Sequence, residues 1–107
     1  MSSGEERQAL VVLNAPSILE EPLIDWLLGH DGGLGFTSFP VFGHSSGHDG
    51  LSAAEQVSGR IRRHQFQVQM DEGAVDEFLI GLEESLAGTD IRYWVLPILG
   101  GRAGQLD

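Results

Sequence analysis

Apolar and polar positions change period several times along the 107-residue chain, and each change marks the boundary of a predicted element. Gln8 to Asn14 encloses the unbroken run Ala9-Leu10-Val11-Val12-Leu13, short and β-branched, which predicts a strand buried on both faces. Ser17 and Glu20 have capping-box spacing, in which hydroxyl and carboxylate satisfy free amide donors at a helix start. Leu19, Leu23, Trp26 and Leu27 then recur at i, i+4, i+7 and i+8, and predict a helix whose Glu20, Glu21 and Asp25 face water. Pro22 fits only within a first turn, which moves the expected start towards Glu21. Gly29-His30-Asp31-Gly32-Gly33 stops the helix.

Leu34 to Phe42 is strand-like, and Pro40 makes it an edge strand because proline cannot donate to a ladder. A Gly/Ser/His-rich loop over 43–59 follows. Arg60 to Met70 is the next strand, with Phe66, Val68 and Met70 on one face and Gln65, Gln67 and Gln69 on the other. A second helix begins at Asp71 or Glu72, carries Val75, Phe78, Leu79, Leu82 and Leu86 at helical spacing, and ends at Gly88. Ile91 to Leu99 is the last strand, and Pro97 makes it an edge as well.

The order β-α-β-β-α-β defines an α+β, ferredoxin-like βαββαβ sandwich, with two helices on one face of a four-stranded antiparallel sheet. In that fold the first and third strands are central, and the two strand prolines fall only in the second and fourth. The expected organisation is a flexible N-terminus over 1–7, one domain over 8–99 and a flexible tail over 100–107. Both helices cover one sheet face, yet the first and last strands are apolar in both registers. A homo-oligomer is therefore expected to bury the open face, with Gln65, Gln67 and Gln69 in its middle.

Composition narrows the function. Six arginines, no lysine and 16 acids give a net charge of −10, which argues against nucleic acid and anionic membrane as partners. The absence of cysteine excludes disulfides, thiolate metal sites and thiol catalysis. The start Met-Ser-Ser-Gly-Glu-Glu-Arg-Gln does not resemble a signal peptide, and no apolar run approaches the ~20 residues of a bilayer span, so a cytoplasmic protein without membrane insertion is expected.

Two constellations carry candidate chemistry. His44, His48 and Asp49 supply imidazole and carboxylate donors of the kind a divalent transition metal accepts; the alternative is a mobile polar loop. Arg60, Arg62 and Arg63 at the base of the loop, with Arg92 at the start of the last strand, form a candidate anion clamp. The alternative is that they pair with helix carboxylates or a neighbouring subunit. His64 shares the Phe66 register and is expected to be partly buried with its hydrogen bonds satisfied, while His30 is expected to cap the first helix. Trp26 and Phe78 read as core, and Asp76-Glu77 and Glu83-Glu84 as solvated helix positions. No serine–histidine–acid arrangement is evident, and an enzyme is not expected.

These residues resemble the PII signalling superfamily, and within it the small proteobacterial PII-like group described as a domain of unknown function. Val41-Phe42-Gly43-His44-Ser45-Ser46-Gly47-His48 is similar to the Gly-Phe-Gly-Arg-Gln-Lys-Gly-His stretch leading into the PII T-loop, and Tyr93-Trp94-Val95-Leu96-Pro97-Ile98 to the Ile-Phe-Val-x-Pro-Val strand motif. Gly35-Phe36-Thr37-Ser38-Phe39 and Ala54-Glu55-Gln56-Val57-Ser58-Gly59-Arg60 resemble motifs of the small group. The resemblance implies a homotrimer whose loops reach a partner and whose intersubunit clefts bind an effector, commonly an adenine nucleotide. It puts Gly43 among the effector-binding residues and Arg92 where PII proteins have a phosphate-binding lysine. Genes of this group neighbour heavy-metal efflux systems, which implies a membrane transporter as partner. The 43–59 loop is shorter than in PII and lacks a tyrosine, and Ala87-Gly88-Thr89-Asp90 replaces the glycine-rich nucleotide loop. The other function in view is direct divalent-metal binding through the loop histidines, as in CutA, which shares the fold.

Overall fold

In a computed structural model that describes residues 7–30, 34–44 and 60–101, the elements run β1 (Gln8–Pro16), α1 (Glu20–Leu28), β2 (Phe36–His44), β3 (Arg60–Asp71), α2 (Val75–Ser85) and β4 (Arg92–Ile98). The sheet order is β2-β3-β1-β4 with every neighbouring pair antiparallel, which is the expected ferredoxin-like topology. Pro40 and Pro97 lie on the two edge strands, while a third strand proline, Pro16, is the last residue of the central β1, a position the expectation of prolines only at edges did not include.

Register decides the faces. Val11 pairs with Val68 and Val95, and Leu13 with Phe66 and Tyr93; this side receives Leu23 and Leu27 from α1, and Val75, Phe78 and Leu82 from α2. Leu13, Leu23, Leu27 and Phe66 are wholly buried, and each contributes roughly 1.5–3 kcal/mol relative to exposure. On the opposite side Val12 pairs with Gln67 and Trp94, and Leu10 with Gln69 and Leu96. No described helix covers that side, as the glutamine register predicts.

Several boundaries shift. The residues of the Ser17–Glu20 capping box form a short 3-10 turn, Ser17–Leu19, and neither it nor α1 has a side-chain cap. Pro22 falls within the first turn of α1, where its missing N–H has no intrahelical acceptor to lose. β3 continues through Asp71, and a second 3-10 turn, Glu72–Ala74, precedes α2, which starts at Val75 rather than Asp71 or Glu72. The Gln8 side chain and Asp71 hydrogen-bond across the β1–β3 pair, and the Glu72 N–H donates to the Arg7 carbonyl, so ladder pairing extends to the end of the strand. Gly88, past the end of α2, has φ +80°, a left-handed conformation in which a side chain is strained. β2 runs through His44, so Gly43 and His44 belong to the strand rather than to the loop.

Candidate functional site

The base of the predicted loop is set by the β2–β3 pairing. His44 faces Arg60, Phe42 faces Arg62, Val41 faces Arg63 and Gly43 faces Ile61. Alternation places Arg60 and Arg62 on the helix side of the sheet with Phe42 and His44, and Arg63 on the open side. The Arg60 guanidinium lies 4.6 Å from the centre of the Phe42 ring, a cation–π contact at the root of the loop.

Arg63 is only 5% exposed. Its Nε donates to Asn14 Oδ1, and its Nη2 donates to the carbonyls of Asn14 and Asp90, each at 2.9 Å. Its Nη1 donates to Asp90 Oδ2 at 3.2 Å. Gly43 lies beside this side chain, and a Cβ there would stand in ordinary contact with Arg63 Cδ at 3.4 Å. Arg92, opposite Asn14 on β4, has Nε 3.6 Å from Asp90 Oδ1. The four arginines thus do not converge. Arg63 and Arg92 meet across Asp90, while Arg60 and Arg62 occupy the other face. The donors of Arg63 serve Asn14 and Asp90, so an incoming anion meets the largely exposed Arg92 more readily.

Of the predicted metal donors, His44 is exposed at the end of β2, and His48 and Asp49 lie outside the described residues. Among the described residues no group of three or more His, Asp or Glu side chains is arranged to hold a metal ion. His44 alone supplies one imidazole where a specific site needs three or four ligands.

Three relationships had little signal in the sequence. Asn14 and Asp90, the partners of Arg63, lie 49 and 27 positions away along the chain. Tyr93 Oη donates to Glu83 at 2.8 Å, and that hydrogen bond, with the carboxylate charge, holds the phenol pKa above its ordinary 10.0. His64 is buried against Phe66, with Nδ1 3.7 Å from Glu20, but its Nε2 has no hydrogen-bond partner among the described residues, where a satisfied histidine is expected. His30 behaves as expected: its Nδ1 is 3.0 Å from the Trp26 carbonyl at the end of α1. Trp26 and Phe78 pack against the core and also line a surface groove.

The sheet order and the two helices packed on one side of it define an α+β, ferredoxin-like fold. The chain belongs to DUF3240, described as a protein of unknown function, whose family pattern matches residues 6–106. The fold is similar to a DUF3240 family protein from Shewanella baltica OS155, with TM-score 0.72 and 21% identity over 100% of both chains. It is also similar to a candidate PII-like signaling protein from Thermus thermophilus, with TM-score 0.57 and 22% identity over 87% of this chain and 88% of that one. The periplasmic divalent cation tolerance protein CutA from Archaeoglobus fulgidus gives TM-score 0.57 and 15% identity over 89% and 87%. No curated protein matches the sequence. Among the described residues, no helix is long and apolar enough to cross a membrane.

Proposed function

We propose that the chain is a homotrimeric PII-like regulator that binds a small effector at its intersubunit clefts and uses residues 45–59, between β2 and β3, to control a partner, a heavy-metal efflux transporter. One observation carries this reading. The sheet side without a described helix presents Trp94 at 43% and Leu96 at 47% exposure beside Val12, an apolar strip that a second copy would cover. Arg92 lies on the same side of the sheet as that strip, so assembly there would bring it towards a neighbouring subunit. An adenine nucleotide is the effector the sequence resemblance favours, and the phosphate would meet Arg92 before Arg63. The second effector class is a divalent metal, for which the likeness to CutA and the exposed His44 speak.

Limited proteolysis tests the regulatory role. Adding the effector is expected to change cleavage near Gly47. Identical digestion patterns across ATP, ADP, zinc, copper and nickel would contradict it.

A further inference from the structure

An open groove of about 890 Å³ lies between the C-terminal half of α1 and the flank of α2 that faces it. Trp26, Leu34 and the exposed Ile80 supply its accessible apolar lining, over a floor of Phe78 and Met70 that is buried in the core. The rings of Trp26 and Phe78 are 5.3 Å apart, with His30 packed edge-on to Trp26 at 4.4 Å. Gly81 faces this cluster without a side chain, and a Cβ there would lie 3.6 Å from the Trp26 ring. Helical spacing carries the lining along α2 from Glu77 to Ser85, about 12 Å at 1.5 Å per residue, with Ala74 just before the helix extending it.

Asp25, Glu77 and Glu84 are its carboxylates, and no arginine is among its described lining residues. None of these three carboxylates has a cationic partner among the described residues. Glu84 is also badly placed for helix stability. It lies in the last turn of α2, which has no basic residue, where the helix dipole disfavours a negative charge. Its neighbour Glu83 is compensated by the Tyr93 hydroxyl, and Glu84 has no such contact. A residue that breaks a local rule without an internal gain is expected where a surface serves a ligand.

We infer that this groove docks a basic amphipathic helix of a partner protein. The apolar stripe of that helix lies on Trp26 and Ile80 above the buried Phe78, and two arginine or lysine side chains about two turns apart meet Glu77 and Glu84. The apolar lining and the unpaired acidic rim define the occupant by charge complementarity, and a groove about three turns long suits a helix better than a single small cation. The surface is on the opposite side of the sheet from the apolar strip of Trp94 and Leu96, so the inference does not depend on the regulatory reading.

The test uses the full chain and a fluorescent synthetic helix of Leu, Ala and Arg, with arginines seven positions apart, titrated at physiological ionic strength. Glu77→Gln with Glu84→Gln is expected to weaken binding roughly ten-fold, and Gly81→Leu to weaken it similarly by filling the groove. Glu21→Gln with Asp76→Asn removes the same charge outside the groove and is expected to change affinity less than about two-fold. Equal losses in the two double variants would overturn the inference by reducing binding to net charge. So would no binding to the parent chain, or displacement of the peptide by an equal concentration of spermidine or free arginine.

Discussion

Arg63 on β3 reaches past the end of β1 and grips Asp90 twice, with Nη1 on the carboxylate and Nη2 on the backbone carbonyl. Asp90 precedes β4, so one buried side chain ties three neighbouring strands together beside the loop base. This clamp is the structural counterpart of the arginine cluster visible in the sequence. It shows why Arg63 and Arg92 have different roles although both contact Asp90.

Arg63→Ala is expected to destabilise the fold by about 2–3 kcal/mol, because the carbonyls of Asn14 and Asp90 lose charge-assisted donors in a buried position. Asp90→Asn keeps the backbone contact and gives up only a half-exposed ion pair, so its cost is about 1 kcal/mol or less. Urea denaturation measures both, and equal losses would contradict the assigned division of labour.

Tyr93 is the single tyrosine of the chain, so its ionisation can be followed directly by near-ultraviolet absorbance. The hydrogen bond to Glu83, with its charge, raises the folded pKa above 10.0. The stabilisation from this contact is therefore present below pH 10.0 and is lost as pH rises through the folded pKa. Glu83→Gln is expected to lower the titration midpoint, and an unchanged midpoint would remove Glu83 as the cause.

His64 leaves Nε2 buried and unpartnered while its Nδ1 faces Glu20 at 3.7 Å. His64→Leu keeps a similar volume and removes the orphaned nitrogen, and is expected to raise stability by about 1 kcal/mol. A loss of stability in thermal denaturation would mean that the imidazole is satisfied in solution.

Trp94→Arg places a charge in the apolar strip that includes Val12 and Leu96. It is expected to yield folded monomer in size-exclusion chromatography. Ile18→Arg, at a position 84% exposed and outside that strip, is expected to leave the assembly unchanged. An unaltered assembly in the Trp94 variant would move the interface elsewhere.

The strand order was legible because Pro40 and Pro97 mark edges, and the alternation of Phe66, Val68 and Met70 with glutamines separates a packed face from an open one. Element starts were less legible. Ser17–Leu19 and Glu72–Ala74 are 3-10 turns whose residues carry ordinary helix signals, and strand pairing holds Asp71 where side-chain periodicity alone favours a helix. At the candidate site the sequence grouped Arg60, Arg62, Arg63 and Arg92 but did not show which face each occupied. Arg62 and Arg63 are adjacent, and strand alternation turns them to opposite faces of the sheet. The groove was hidden for a related reason. Trp26 and Phe78 have core spacing within their own helices, and only the packing of α1 beside α2 leaves their edges open.

Native mass spectrometry of the purified chain, alone and with ATP, ADP, zinc, copper and nickel, tests the regulatory account most directly, since oligomer mass and ligand mass are read together. The account predicts a trimer that gains nucleotide or metal in multiples set by its clefts. A monomer at micromolar concentration that gains nothing would contradict it.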